Sequence, residues 1–314
     1  MSVPSDFAAV EASAPGKVIL LGEHAVVYGA PAIGFPLERR VRVRVRPGSG
    51  HIQLSSDDDI TVPPPGDAAS PRELIKKALG PWFTKSDVAV HFGFPPMSGF
   101  GSSAALAVAL HHARRELEGG GKEALDRALK TVLATEKVAH AKPSGVDPAI
   151  CISDRLIWFR KGKTQPSVRG LAPGKPLHFL VGSVGGHGGT RRAVTEVARL
   201  KHDAPALVRA AMQCLEDSAE AGARSIRAGQ IEVLGASMNL AHGVLSGLGL
   251  VAAEVQHAVS LSLQHGALGA KMSGAGGDGG GAFVAVFRSK KAAEAARGEL
   301  NLVGISAWTE KVRD

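Results

Sequence analysis

The sequence predicts an α+β fold of two domains, and three observations carry that reading. Segments with strict apolar/polar alternation stand beside long stretches with helical spacing. Glycine-bearing loops interrupt the chain at three widely separated places. A Pro/Gly-rich stretch at 165–175 divides the 314 residues, which sets the expected domains at 1–170 and 171–314.

Residues 16–21 and 39–46 read as strands. In the second, Arg40, Arg42, Arg44 and Arg46 alternate with Val41, Val43 and Val45, giving one apolar and one cationic face. The plain reading is the solvated face of an edge strand. A nucleic-acid platform would want aromatic residues on that face, and none is there. Residues 56–72 read as a loop and 87–92 as a strand. A helix is expected from about Ser102 to Glu118, stopped by Gly119-Gly120-Gly121, and a second from about Lys122 to His140. Residues 149–161 suggest two short strands joined at Ser153-Asp154. Beyond the boundary come an apolar segment (His178–Val184) and helices near 190–201, 204–228, 230–246 and 250–264. A glycine loop at 274–281, a strand at 282–287, a helix at 289–300 and a strand near 304–312 follow.

Hydrophobic residues at 44% and charged residues at 21% give an ordinary globular balance with ample core. The net charge of +8 suits a binder of acidic small molecules, a nucleic-acid binder or simple solubility. Cys151 and Cys214 lie in apolar segments without metal-ligand spacing, so both are expected as buried thiols in a reducing, cytoplasmic compartment. The N-terminus lacks the basic-then-apolar layout of a signal peptide. No apolar run approaches the roughly 20 residues of a membrane span.

Four segments carry the chemistry. The first, Ala14-Pro15-Gly16-Lys17 through Gly22-Glu23-His24 to Gly29, places Lys17 early in a strand and Glu23-His24 just past its end. Taken alone, Lys17 would be a surface lysine and His24 a structural histidine. The second is Pro95-Pro96-Met97-Ser98-Gly99-Phe100-Gly101-Ser102-Ser103-Ala104-Ala105. Its small residues let backbone approach a ligand, and Ser102 or Ser103 opens a helix whose N–H groups and dipole attract anions. It lacks the lysine of a GxxxxGK[ST] loop. Gly99 to Ala104 also matches GxGxxA, which raises an NAD-dependent oxidoreductase. That fold needs a strand after the helix, and here another helix follows. The third segment is Lys271-Met272-Ser273-Gly274-Ala275-Gly276-Gly277-Asp278-Gly279-Gly280-Gly281, set between a helix and an apolar strand, where a backbone closely approaching a ligand is a better account than a linker. The fourth, Glu136 through Pro143-Ser144-Gly145-Val146-Asp147, supplies two acids. Phosphoryl transfer needs a metal ligand, a cation against developing charge and a residue that takes the nucleophile's proton. Glu136, Lys17 and Asp147 have the chemistry for those roles, but spacing does not show that they meet.

In their chain order, with Glu136–Asp147 ahead of Lys271–Gly281, the four segments resemble the superfamily of galactokinases, homoserine kinases, mevalonate kinases and phosphomevalonate kinases, over residues 14 to about 312. GEHAVVYG and PSGVDPA are most similar to the mevalonate kinase family. The resemblance implies a two-domain small-molecule kinase fold with the active site in the interdomain cleft, using ATP and Mg²⁺ and accepting mevalonate at its C5 hydroxyl. It implies Asp147 as the base and Lys17 as the cation on the alkoxide and transferring phosphoryl group. Ser103 and Glu136 would hold Mg²⁺. Pro96, Ser98, Gly99, Gly101, Ser102, Ser103, Gly274 and Gly276 would surround the ATP phosphates, and Glu23, His24 and Thr190 would lie on the mevalonate side. Phosphomevalonate kinase is the runner-up, because its third loop often contains an Asp, one position later in the glycine run than Asp278; the usual loop has no such Asp and is followed by Cys, which is missing here. Tyr28 stands where animal members often carry His. No nucleic-acid or membrane partner is implied, and monomer and homodimer both remain open.

Overall fold

The computed structural model describes residues 4, 6–57, 71–121, 123–138, 144–185, 190–277 and 279–312; the side chains of 190–192 and 194 fall outside it. The expected loop at 56–72 therefore lies mostly outside the described residues, as does Asp278. The first strand, β1 (Val10–Leu21), is buried without a break from Ala14 to Leu21. Such a run marks a strand covered on both faces. The second, β2 (Pro31–Pro47), is likewise buried from Pro31 to Leu37 and then alternates from Val41 to Arg46, valines in and arginines out. The expected cationic face is real. It is not an edge, because β2 pairs with both β1 and β4 (Ser86–Phe92). Arg44 and Arg46 are also matched by Glu11 and Asp87.

The chain separates into two compact units, each built from discontinuous segments: Met1–Lys17, Leu37–Met97 and Gly101–Asp154 form one, and Val18–Pro36, Ser98–Phe100 and Arg155–Asp314 the other. In the first unit, β4 runs antiparallel to β2 with Val43 opposite Val90, and β3 (Ile52–Ser56) runs parallel to β4. Among the described residues its α-helices are α1 (Pro71–Leu79), α2 (Ser102–Leu117), α3 (Leu125–Glu136) and α4 (Val146–Ser153). Helix α2 is buried continuously from Ala104 to Leu110 and packs against the other three. Its alanines allow that close approach.

In the second unit, β5 (Ile157–Arg160) pairs antiparallel with the start of β2 and with β6 (Ser167–Gly170). A separate antiparallel sheet has the order β10-β7-β9-β8, from β7 (His178–Gly185), β8 (Gly269–Ser273), β9 (Gly280–Phe287) and β10 (Ala307–Lys311). Its helices are α5 (Thr190–Asp203), α6 (Pro205–Ala228), α7 (Ile231–Gly247), α8 (Ala253–Gln264) and α9 (Lys290–Leu302). Phe35 stacks on Phe179 at 4.8 Å between ring centroids, joining β2 to β7.

Two expectations are corrected here. The segment read as paired strands at 149–161 is helix α4 followed by β5. Its Ile150-Cys151-Ile152 run is apolar enough for a strand, but Gly145, at φ 91, turns the chain into a helix whose inner face packs on α2 and α3. Cys151 is buried as expected, whereas Cys214 is only half-buried. Helix α1 and strand β3 were not anticipated. Among the described residues no helix is long and apolar enough to cross a membrane.

Candidate active site

Strand β1 delivers Lys17 with its side chain almost fully enclosed, 3% exposed. A buried ammonium requires a partner, and Asp147 supplies it: Nζ lies 3.1 Å from Oδ2. Asp147 stands in the first turn of α4, where the helix dipole favours a carboxylate. The turn before it is made by Ser144, whose hydroxyl accepts the Val146 N–H at 3.4 Å, and by left-handed Gly145. The Ser144-Gly145-Val146-Asp147 segment is thus a device for starting α4 at a fixed point.

Helix α3 ends at Glu136, which is 2% exposed. The Ser103 hydroxyl donates to its Oε1 at 3.1 Å. Burial, and then the negative charge of Asp147, push the Glu136 carboxyl up to about 7, while the Ser103 hydrogen bond and Lys17 act in the opposite sense. Lys17, Asp147, Glu136 and Ser103, spread over the sequence, thus form one interacting cluster within the first unit. A buried acid pushed up by a neighbouring acid is a place where an added cation would be stabilised.

The helix that carries Ser103 begins at Ser102, with Gly101 as N-cap in the left-handed region at φ 71 and no side chain capping it. Its first N–H groups suit an anion. Gly101 has a second purpose. A Cβ there would stand 2.7 Å from Cε of Lys17, so the missing side chain is the space the lysine stem occupies. Just before, Met97 takes φ 64 and its N–H donates to the Ser102 hydroxyl at 3.0 Å. Pro96 and Ser98 are buried.

Within the second unit, Gly99 (φ 92) is held against β8 and β9: a Cβ would meet Ala282 N at 3.1 Å and Ser273 O at 3.6 Å. Gly274 (φ 95) adjoins the same glycine, 3.5 Å from its carbonyl oxygen by the same measure. The two glycine loops therefore touch at backbone distance. The Ser273 hydroxyl donates to the Ile19 carbonyl and accepts its N–H, both at 3.0 Å, which fixes the third loop to β1. The Gly277 N–H binds Leu250 O at 3.0 Å, and Gly276 leaves no room for a side chain, 2.1 Å from that same oxygen.

Glu23 is enclosed and forms an ion pair with fully buried Lys271, the first residue of the third motif. Sequence reasoning did not anticipate this pair. Both residues lie inside quoted motifs, but nothing in their spacing links them. His24 follows at φ 58, and its Nε2 lies 2.8 Å from the Ala275 carbonyl, so Nε2 carries the proton and donates. Burial chiefly pushes its ionisation below the usual histidine range, aided by the Lys271 charge and opposed by the bond to Ala275. The neutral ring presents Nδ1 as an acceptor. Thr190 opens α5, and its side chain lies outside the described residues. The GxGxxA match has no dinucleotide context, since α2 leads to α3 and not to a strand.

The glycine-rich turn into an uncapped helix, beside the ion pair of buried Lys17 with Asp147, is the arrangement of a phosphate-handling enzyme. Two family models match in order: the GHMP kinases N terminal domain over residues 70–155 and the GHMP kinases C terminal over 223–305. The class is thus the GHMP kinases. The mevalonate kinase of Aeropyrum pernix is 35% identical over 298 residues, covering 89% of each chain. That of Pyrococcus horikoshii is 30% identical over 313 residues, covering 91% of each. The crystal structure of L. major mevalonate kinase in complex with R-mevalonate superposes with a TM-score of 0.81 at 25% identity, over 99% of this chain and 98% of that one. The chain belongs to the mevalonate kinase family of that class.

Proposed function

We propose that this protein transfers the γ-phosphate of ATP to the C5 hydroxyl of mevalonate, forming 5-phosphomevalonate and ADP. The carrying observation is the ion pair at 3.1 Å between buried Lys17 and half-buried Asp147, in a chain similar to mevalonate kinases over 89% and 91% of its length. Asp147 accepts the hydroxyl proton as the oxygen attacks the γ-phosphorus and the bond to the ADP oxygen breaks. Lys17 stabilises the negative charge that develops on the attacking and transferring oxygens. The first N–H groups of α2, with Gly99, Gly101, Ser102 and the buried Ser98 and Pro96, receive the triphosphate, and Gly274 and Gly276 support that loop.

Among the described residues no group of three or more His, Cys, Asp or Glu could hold a metal ion by itself. The Ser103 hydroxyl and Glu136 nonetheless fit Mg²⁺: they are hard oxygen donors, and a metal that keeps waters and phosphate oxygens needs few protein ligands. When bound, Mg²⁺ would neutralise phosphate charge. Neutral His24 takes the acceptor side, with Nδ1 suited to a hydroxyl. Thr190 belongs to the same side by family resemblance, and Glu23 acts through its buried pair with Lys271. Buried Cys151 and the absence of disulfides among the described residues support a cytoplasmic setting.

ADP release in the presence of mevalonate, 5-phosphomevalonate, homoserine and galactose tests the reading. Mevalonate should dominate kcat/KM by at least about tenfold. Preference for 5-phosphomevalonate would move the assignment to the runner-up.

A further inference from the structure

Arg40 belongs to the cationic stripe of β2, yet it behaves unlike its neighbours. Arg42, Arg44 and Arg46 face solvent, whereas the Arg40 side chain is only 22% exposed. Its guanidinium is divided between two partners. Nε donates to the Ser13 hydroxyl at 3.0 Å, and Nη1 donates to Asp154 Oδ2 at 2.9 Å. Ser13 lies on β1, four residues before Lys17. Asp154 is the C-cap of α4, whose first turn holds Asp147. Four residues along a strand return to the same face, about 13 Å on. Seven residues along a helix also return to one face, about 11 Å on. Strand and helix are therefore joined at two places with matched spacing: Lys17 to Asp147 at one end and Ser13 through Arg40 to Asp154 at the other. His112 of α2 adds a third contact to this node, with Nδ1 donating to the Ser13 carbonyl at 3.4 Å.

We propose that Arg40 is a positioning residue for phosphoryl transfer, bridging Ser13 and Asp154 so that α4 is held in register on β1 and Asp147 stays aligned with Lys17. The idea rests on the roles given above to Lys17 and Asp147. Released from Asp154, the short helix α4 would keep one polar tether to β1, at Asp147 itself, and apolar packing alone would set its far end. A displacement of about 1 Å at a reacting group can cost on the order of 100-fold in rate.

Arg40→Met keeps the stem and removes the fork. It should lower kcat about tenfold or more, with KM for ATP and for mevalonate within about threefold of wild type. Arg40→Lys, which has one donor centre for two partners, should recover part of the loss. Asp154→Asn guards against misfolding: the residue sits at φ 48, and Asn tolerates the left-handed region, so the cap survives while the ion pair is lost. It should lower kcat in the same sense, and the double variant should be no worse than Arg40→Met alone. Hydrogen exchange gives a readout independent of any acceptor: amides of α4 should exchange about tenfold faster in Arg40→Met, with those of α2 unchanged. Arg40→Met with wild-type kcat, or with unaltered α4 exchange, would overturn the proposal. Absence of mevalonate turnover in the wild type would instead overturn the functional reading, and the exchange experiment would still decide on the tether.

Discussion

At the scale of single residues, the buried charges are the most informative. Glu136 has its carboxyl pushed up to about 7 from 4.5, first by burial and then by Asp147. An acid raised in the folded state favours folding of its protonated form. That stability is complete below about pH 4.5 and is lost as pH rises through about 7; the span corresponds to roughly 3 kcal/mol. Without divalent cations, Glu136→Gln should therefore melt above wild type at pH 8, and the difference should fade towards pH 5. Its activity should fall and its Mg²⁺ requirement rise. Melting below wild type at pH 8 would contradict this account. His24 leads to a separate expectation. Its proton is fixed on Nε2 by the Ala275 carbonyl, so Nδ1 can only accept, which suits an alcohol better than a carboxylate. His24→Ala should raise KM for mevalonate about tenfold or more and leave KM for ATP nearly unchanged; the reverse pattern would put His24 on the nucleotide side. Both residue types were visible in the sequence. The Glu23–Lys271 and Arg40–Asp154 pairs were not, because each joins segments far apart in the chain and no local pattern records the meeting.

At the scale of elements, the turn into α2 shows how glycine positions were legible as a motif but not in their reason. The sequence suggests close approach to a ligand at Gly101. The structure adds that Lys17 passes through the space where a side chain would be. Gly101→Ala should accordingly lower kcat by about tenfold or more, because a methyl group 2.7 Å from Cε must displace the lysine. Gly119→Ala is the matched control. Its φ of 69 is equally unfavourable for alanine, but nothing lies within 4 Å. It should cost about 1 kcal/mol of stability and leave kcat unchanged. Equal effects of the two on kcat would remove the steric argument. Strands with clean alternation, such as residues 41–46, and helices with long apolar spacing, such as α6, were readable from periodicity. Helix α4 was not, since its apolar Ala149-Ile150-Cys151-Ile152 run satisfies a strand pattern as well. What decides it is the left-handed glycine before it and the packing of α2 and α3.

At the scale of the whole molecule, the mixed α+β character and the order of the glycine motifs were legible. The composition of the compact units was not. Strands β1 and β2 each contribute to both units, and no composition shift marks a transition inside a continuous strand. The excess of 8 positive charges carries a prediction at this scale. Two anionic substrates should be steered to a cationic protein, so kcat/KM for ATP and for mevalonate should fall severalfold as ionic strength rises from about 20 to 300 mM, with kcat nearly constant. Salt-independent kcat/KM would show that the charge serves solubility alone.

The role proposed for Asp147, held by Lys17, is to take the proton of the mevalonate C5 hydroxyl while ATP is cleaved. Its most direct test is a single-turnover measurement with enzyme in excess over ATP at saturating mevalonate, comparing wild type with Asp147→Asn and identifying the product. The account predicts 5-phosphomevalonate from the wild type, a transfer rate about 10²–10⁴-fold lower in the variant, and ATP binding that is retained in both. A variant that transfers phosphate at close to the wild-type rate would contradict it.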